Sequence, residues 1–313
     1  MQQAFPPYDL LDAFESRAAS KTKKLERLYH QTQAHAWNPS TVLDELEAKH
    51  GGIRLPEEKK EAIGHVFAVL LWGELAAWNI AADLARTLPD VDAKMAATGQ
   101  VFDEARHFTV LRDYLSRAGV QLAPLNAFGR RLLTRILDTD SMLQKLYGMQ
   151  LLVENLALSI FKRVKDSRLE PVLCDLLEYV ERDESRHVAL GVMYLPKLLA
   201  ATTSVERAKN WAFNMELFAL SMAAGRLIDP HFTTLGINHR EMSFGTMRLH
   251  QQVLRKMAEE NGTTDVAGVY GLSAKKQQLI VNSLYPAPPA PPRHMRALAG
   301  LDATLKAVAR LMS

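Results

Sequence analysis

The sequence predicts an all-α fold on three observations. Strong helix formers, above all Ala, Leu, Arg, Glu, Lys and Met, are abundant along the 313-residue chain. Glycine and proline gather at a few breaks between long segments instead of being spread evenly. No run of residues alternates apolar and polar side chains over the length of a strand. We therefore expect long helices joined by short connections, and no sheet.

The connections between the predicted helices have local causes. Pro89 separates two long helices, because the residue before a proline disfavours the α region. Gly119 can end a helix in the left-handed conformation. Pro196 is expected to kink or end its helix, and the proline-rich residues 285–293 are expected to form an extended strap. The predicted helices are Pro7–Gln33, Ser40–Lys49, Pro56–Thr87, Val91–Ala118, Ser141–Ser167, Pro171–Leu199, Val205–Ile228, Arg240–Glu260, Ala274–Leu284 and His294–Met312.

The predicted organisation is a single domain over residues 1–313. Residues 1–55 contribute N-terminal helices, residues 56–200 a four-helix core, and residues 201–313 C-terminal helices with the strap at 285–293. Each central helix of the core is expected to be about 40 Å long, at roughly 1.5 Å per residue. Four helices of that length are enough to enclose one bundle core.

Composition and charge exclude several classes of protein. Apolar residues make up 48% of the chain and charged residues 23%, which excludes a disordered or collagen-like protein. The net charge of +3 gives no reason to expect nucleic acid or a membrane surface as a partner. The single Cys174 cannot build an internal disulfide or a cysteine-ligated metal site, so a cytoplasmic location is expected. The apolar residues 62–82 contain His65, Glu74 and Asn79, which favours a buried bundle helix over a membrane span.

The motif that carries the chemistry occurs twice. Asp103–His107 and Asp183–His187 both read Asp-Glu-x-Arg-His, so a glutamate and the histidine three residues later share one helix face. Another glutamate, Glu74 or Glu154, stands 30 residues before the glutamate of each motif, in an apolar helix. The second set follows the first by 80 residues at every position. The chain therefore carries an internal duplication of a helix pair.

Four glutamates and two histidines on four helices match the ligand set of dinuclear iron or manganese carboxylate sites. Two divalent ions would balance the charge of the four carboxylates, which would be costly to bury without metal. Oxygen-rich ligation with two imidazoles favours iron or manganese over structural zinc. A solvated helix face explains either motif taken alone, but not the glutamates of the apolar helices. The predicted ligands are Glu74, Glu104, His107, Glu154, Glu184 and His187.

Each motif also contains groups that fit around the ligands. A histidine that binds metal usually donates its other ring N–H to a carboxylate. We expect Asp103 to orient His187 and Asp183 to orient His107, each across the pseudo-twofold axis that relates the two halves. An arginine from each motif is expected to neutralise these aspartates. The two arginines are Arg106 and Arg186.

On these residues the sequence resembles the ferritin-like superfamily of di-iron carboxylate proteins, over about residues 56–199. The duplicated motif is typical of the oxygen-activating branch, which includes bacterial monooxygenase hydroxylases, acyl-carrier-protein desaturases, the ribonucleotide reductase small subunit and N-oxygenases. The resemblance implies a ferritin-like four-helix bundle with additional N- and C-terminal helices. It implies two Fe ions, or a Mn/Fe pair, as the cofactor and dioxygen as the co-substrate.

Five positions depart from the patterns of the subfamilies. Leu111 stands where the ribonucleotide reductase small subunit commonly has a radical tyrosine. Leu158 and Ala157 stand where hydroxylases and desaturases, respectively, often carry a threonine. Val180 replaces the third histidine of the N-oxygenases, and Met149 replaces the cross-linked tyrosine of ligand-binding oxidases. The resemblance therefore implies the branch without singling out a subfamily.

The function that this pattern favours is a dinuclear-iron oxygenase or oxidase, which activates dioxygen to hydroxylate, N-oxygenate or desaturate a small organic substrate. The four glutamates would be catalytic as ligands, with Glu104 and Glu184 as the expected bridges between the metals. The expected partners are a small-molecule substrate and an unidentified electron donor, without nucleic acid or membrane. A homodimer is compatible with the sequence.

Three other functions are compatible with parts of this pattern. A ferroxidase or other iron-handling protein would use the same ligands, but storage ferritins are about half this length and rubrerythrins usually add a four-cysteine iron site. A radical-generating subunit is disfavoured by Leu111. A helical scaffold with a degenerate site would bind neither iron nor manganese.

Several residues near the predicted ligands are expected either to line a substrate cavity or simply to pack in the core. Gly73 has no side chain and could leave room for dioxygen or substrate beside Glu74. Two tyrosines could pass electrons or form a hydrogen bond with a substrate. The cavity residues predicted in this way are Gly73, Phe102, Tyr147, Gln150, Leu158 and Tyr179.

Overall fold

The computed structural model describes residues 20–261 and 274–286, which contain helices and no β-strand. An irregular stretch of π-helix, Tyr147–Val153, joins two of the helices end to end and is called the π segment below. The helices are α1 (Ser20–Ala34), α2 (Pro39–His50), α3 (Glu57–Thr87), α4 (Val91–Arg117), α5 (Ala127–Leu137), α6 (Met142–Leu146), α7 (Glu154–Asp166), α8 (Pro171–Ala200), α9 (Ser204–Thr234), α10 (His239–Asn261) and α11 (Ala274–Leu284).

Side-chain caps fix where several helices begin. The side chain of Asn38 accepts a hydrogen bond from the backbone N–H of Thr41 at the start of α2. Glu170 does the same for α8, where Pro171 takes the first position and needs no hydrogen-bond partner for its nitrogen. Thr203 forms a reciprocal capping box at the start of α9. These local signals hold the helix ends close to their predicted positions.

The central bundle consists of α3, α4, α8 and the continuous unit of α6, the π segment and α7. Helix α3 packs along α4, and α8 packs against both α4 and α7. Two apolar clusters fill the bundle, one containing Leu84 and Tyr194, the other Phe67 and Phe161. Each fully buried leucine or phenylalanine contributes about 1.5–3 kcal/mol to folding. This packing holds the four helices that carry the predicted ligands.

The remaining helices surround the bundle. Helix α1 lies on α4, and α2 lies against α8 and α4. Helices α5 and α9 cover α3, α10 covers α7 and α8, and α11 packs on α10. Among the described residues, only α3 is long and apolar enough to cross a membrane. However, 61% of its most apolar window is buried inside the protein.

The structure corrects three of the predicted elements. Helix α5 was not predicted, although the Asn126 side chain caps it through the backbone N–H of Gly129. The predicted helix Ser141–Ser167 is interrupted by the π segment. Helix α9 continues past Ile228 through Pro230, because burial of its last turns outweighs the hydrogen bond that proline cannot donate.

Pro196 was predicted to kink or end its helix. It does not end the helix, because α8 includes this proline and continues for one more turn to Ala200. Other predictions lie outside the described residues. They are the helix His294–Met312, the part of Pro7–Gln33 before Ser20, and the strap beyond its first two residues, 285 and 286. The division into a single domain with three parts stays a prediction.

Candidate metal centre

The six predicted ligands meet at the middle of the bundle and form two overlapping sets. In each set the ligand atoms lie within 4.8 Å of one another. Both sets contain Glu104 from α4 and Glu184 from α8, so these carboxylates stand between two positions for a metal ion. Site A comprises Glu74, Glu104, His107 and Glu184, and site B comprises Glu104, Glu154, Glu184 and His187.

Both histidines present Nδ1 to the carboxylates. Nδ1 of His107 lies 3.1 Å from Oε1 of Glu184 and 3.4 Å from Oε2 of Glu74. Nδ1 of His187 lies 2.7 Å from Oε2 of Glu184 and 3.1 Å from Oε1 of Glu104. The imidazoles therefore face the same group of carboxylates, with their ring centroids 5.9 Å apart.

The centre is closed to solvent and contains polar atoms without hydrogen-bond partners. Each of the six residues is at most 4% exposed. Oε2 of Glu74, Oε2 of Glu104 and Nδ1 of His107 form no hydrogen bond, although buried polar atoms normally have one. Carboxylate oxygens and an imidazole nitrogen without hydrogen bonds fit divalent iron or manganese.

Burial changes the protonation of the ligands when no metal is present. It raises the pKa of Glu74 and of Glu154 well above the ordinary value of 4.5. Burial alone would lower the pKa of His107 and His187. The surrounding carboxylates outweigh burial and raise both pKa values well above 6.5. Protons thus neutralise part of the negative charge in the metal-free centre.

The motif aspartates lie behind the histidines, across the pseudo-twofold axis. Nε2 of His187 is 3.3 Å from Oδ2 of Asp103, and Nε2 of His107 is 3.4 Å from Oδ2 of Asp183. Arginines bind these aspartates from both halves. The ion pairs are Arg106 with Asp103 and Asp183, and Arg186 with the same two aspartates.

The two halves of the centre differ at Trp37, a residue that no sequence motif indicated. The indole N–H of Trp37 donates a hydrogen bond to Asp183, and its ring stacks on His107 at 6.3 Å between centroids. At the equivalent place in the other half, the Thr32 hydroxyl lies 3.5 Å from Asp103. Trp37 stands in the short connection between α1 and α2, far from both motifs in the sequence, so no spacing pointed to it.

A pair of buried glutamines completes the centre. Nε2 of Gln100 donates to Glu104 at 2.8 Å and to Glu154 at 3.0 Å. Nε2 of Gln150 donates in turn to Oε1 of Gln100 at 3.1 Å. Gln100 lies one helical turn before Glu104, which is the sequence signal that could have identified it.

The π segment sets the position of Glu154. The backbone N–H of Glu154 bonds to the carbonyl of Met149, five residues earlier, which is the hydrogen bond of a π-helix. The segment also lies very close to α8. A Cβ atom added at Gly191 would lie 2.7 Å from Cβ of Gln150, so only glycine fits there. Such π insertions are frequent at functional sites.

A cavity of about 140 Å³ adjoins the centre, enclosed by α3, α5, the π segment, α7, α9, α10 and α11. A smaller pocket of about 30 Å³ touches Glu74 and Glu154. Five residues line both spaces: Val69, Gly73, Val153, Leu156 and Ile160. The larger cavity, referred to below as the main cavity, therefore reaches the carboxylates through this boundary.

The structure distributes the predicted cavity residues differently. Gly73 and Tyr147 line the main cavity. Gln150 is buried in the glutamine pair, and Leu158 packs against the core. Phe102 is 53% exposed and lies outside both spaces, because it precedes Asp103 on the outer face of α4. Tyr179 packs edge-on against the indole ring of Trp37 and lies outside both spaces.

No family profile matches this chain, and no curated protein is similar enough in sequence to count as a relative. Solved structures do match. A variant of the R2-like ligand-binding oxidase with a Mn/Fe cofactor superposes with a TM-score of 0.59 at 17% identity, over 74% of this chain and 92% of the other. The chain has the ferritin-like di-metal carboxylate fold.

Other ferritin-like structures agree with this result. A protein with aldehyde deformylating oxidase activity from Synechococcus matches with a TM-score of 0.54 at 19% identity, over 64% of this chain and 92% of the other. Another variant of the R2-like ligand-binding oxidase, with an Fe/Fe cofactor, matches with a TM-score of 0.57 at 16% identity, over 74% of this chain and 92% of that one. The predicted all-α, ferritin-like fold is thus confirmed.

Proposed function

We propose that this chain is a di-metal oxidase or oxygenase that uses dioxygen to oxidise a small organic substrate. One observation carries the proposal. Two buried ligand sets share Glu104 and Glu184, and they contain carboxylate and imidazole atoms without hydrogen bonds. Two metal ions held between shared carboxylates are the arrangement that two-metal chemistry requires.

The ligand set decides which metals the centre would take. Site A and site B together offer four carboxylates and two imidazoles, which balance the charge of two divalent ions. Oxygen-rich ligands of this kind suit iron and manganese. The fold neighbours contain Mn/Fe or Fe/Fe cofactors. When bound, such a pair of ions supplies the electrons with which dioxygen is activated.

The residues of the chain provide ligand placement and exclusion of water. Glu74 and Glu154 each belong to only one site, while Glu104 and Glu184 are the proposed bridges. The centre is enclosed by apolar clusters on both sides, which keeps bulk water away. Behind the histidines, the aspartates and arginines hold the imidazoles in place.

The main cavity favours an organic molecule over an iron ion as the substrate. Its volume of about 140 Å³ is comparable to the roughly 150 Å³ of an engineered cavity that binds benzene. None of the described residues that line it is Asp, Glu, Lys or Arg. Such a wall suits an uncharged molecule and has no charged side chain to attract a hydrated iron ion, which argues against an iron-handling function.

Further turnover requires electrons from outside the chain, so we propose a separate electron donor. A cytoplasmic location and a homodimer are proposed with it on the sequence arguments given above.

The test is dioxygen uptake by the full chain loaded anaerobically with ferrous iron. The proposal expects two bound iron ions per chain, dioxygen consumption on mixing, and the absorption of an oxo-bridged ferric pair afterwards. Glu104→Ala should abolish the reaction, whereas Glu45→Ala, an exposed residue of α2, should leave it intact. A fully loaded chain that consumes no dioxygen would exclude this function. Iron mineral formation without oxidation of any organic substrate would favour the ferroxidase alternative.

A further inference from the structure

One wall of the main cavity is a single face of α10. The side chains that reach the cavity recur three or four residues apart, as a helix face requires: His239, Met242, Ser243, Thr246, Met247 and His250. Between the first and the last of these residues the helix rises about 16 Å. Nδ1 of His250 lies 3.3 Å from the carbonyl of Leu151, so this end adjoins the π segment that leads into Glu154.

The wall of the main cavity also contains polar groups that have no partner. Ser243 is 7% exposed and Gln277, on α11, is 8% exposed. Oγ of Ser243 and Oε1 of Gln277 form no hydrogen bond, and both residues line the cavity. A buried polar atom left in this state is unfavourable, and a ligand with a matching group would remove that cost.

The polar groups of this wall are uncharged. Ser243 and Gln277 are neutral side chains, and His239 is hydrogen-bonded through Nδ1 to Asp229 at 3.0 Å. Burial lowers the pKa of His239 and of His250, which favours their neutral forms. An anionic head group would therefore meet no opposite charge, whereas a hydroxyl or amide group would find both donors and acceptors.

The boundary between the main cavity and the small pocket at Glu74 and Glu154 is apolar by contrast. It is formed by Val69, Gly73, Val153, Leu156 and Ile160. A hydrocarbon group suits this boundary, and a polar group would lose its hydrogen bonds to water there without replacement.

We propose that the main cavity binds an uncharged amphipathic molecule in one orientation. Its hydroxyl or amide group is held by Ser243 and Gln277, and its hydrocarbon end lies at Gly73, facing the metal centre. The cavity volume limits the molecule to about one ring or a short chain. The binding site stands on the cavity alone, while the orientation toward the metals rests on the proposed function.

Calorimetric titration of the full chain with three matched probes tests the binding. Benzyl alcohol should bind roughly two- to tenfold more tightly than toluene, because one hydrogen bond separates them. Benzoate should bind too weakly to measure. Ser243→Ala should remove the preference for benzyl alcohol and leave toluene binding unchanged. The matched control is Ser221→Ala, since Ser221 also lines the cavity but already donates to the carbonyl of Phe218.

Three results would overturn the proposed binding site: no binding of any probe, equal affinity for benzyl alcohol and toluene, or a preference that survives in Ser243→Ala. Thermal melting of each variant checks that it folds. Because the titration measures binding and requires no oxidation, its result is independent of any failure of the proposed oxidation.

The orientation is tested by proton relaxation of benzyl alcohol bound to the chain loaded with Mn²⁺. The paramagnetic ion should relax the para proton of the ring faster than the methylene protons next to the hydroxyl group. Faster relaxation of the methylene protons would show the reverse orientation and contradict the proposal.

Discussion

Trp37 donates its indole N–H to Oδ2 of Asp183 over 2.7 Å, and this aspartate in turn lies behind His107. The motif is duplicated, but the residues around its two copies therefore differ. The Thr32 hydroxyl, 3.5 Å from Asp103, is at the limit of hydrogen bonding. Site A therefore has a more firmly held histidine than site B.

Trp37→Phe should weaken metal binding at site A by about tenfold, since groups that orient a ligand typically contribute ten- to a hundredfold to metal affinity. The phenyl ring keeps the stacking on His107 but cannot donate to Asp183. Stepwise titration with Mn²⁺ or Fe²⁺ measures the two affinities. The control, Thr32→Val, should change either affinity by less than about twofold. Equal effects of the two substitutions would contradict the asymmetry.

The shared and unshared carboxylates should behave differently when they are neutralised. Glu74→Gln removes a ligand from site A alone, so one metal ion per chain should still bind. Glu104→Gln removes a ligand from both sites, and the metal content should fall well below one ion per chain. Metal analysis after desalting measures both. Two ions retained by Glu104→Gln would show that this residue is no bridge.

Stability should depend on pH in the metal-free chain and much less in the metal-loaded chain. Burial raises the pKa of Glu74 and Glu154, and the carboxylates raise the pKa of His107 and His187 above 6.5 although burial opposes this. The metal-free folded chain therefore binds more protons than the unfolded chain above this pH. Its stability should fall as pH rises above 6.5 and the histidines lose their protons.

Metal ions displace these protons, so the loaded chain should lack this loss and the metal affinity should rise with pH. Scanning calorimetry of both forms and the protons released on loading measure the effect. A melting temperature that falls equally with pH in the two forms, or loading without proton release, would be inconsistent with protonated ligands.

The boundary at Gly73 should control access from the main cavity. A Cβ atom there would lie 3.9 Å from Val153, so Gly73→Ala fits and should behave like the natural chain. Gly73→Leu should fill the small pocket of about 30 Å³ and cut substrate oxidation by tenfold or more, with metal content unchanged. Product analysis and metal analysis are done on the same samples. Unchanged oxidation by Gly73→Leu would place the substrate elsewhere.

The sequence predicted the bundle and the ligands because both depend on spacing along single helices. Glu104 and His107 share a face at three residues apart, and the duplication pointed to Glu74 and Glu154. The fold that this pattern implied is confirmed by the structural matches. The π segment could not be predicted, since its apolar residues also fit an α-helix and only packing against Gly191 distinguishes the two.

The features of the site that the sequence did not predict arise from contacts between elements that are far apart in the chain. Trp37 meets Asp183 across 146 residues of sequence, and no local pattern encodes that contact. Phe102 and Gln150 were expected at a cavity because they lie near ligands in sequence, but one faces solvent and the other the core. The main cavity depends on α9, α10 and α11, which lie outside the duplicated unit.

The central claim is that six side chains hold two metal ions side by side. Anomalous diffraction at the iron absorption edge, from crystals of the full chain grown with ferrous iron under anaerobic conditions, tests it most directly. The account predicts two anomalous peaks about 3.5–4 Å apart, with Glu104 and Glu184 between them. A single peak, or none among these six residues, would contradict it.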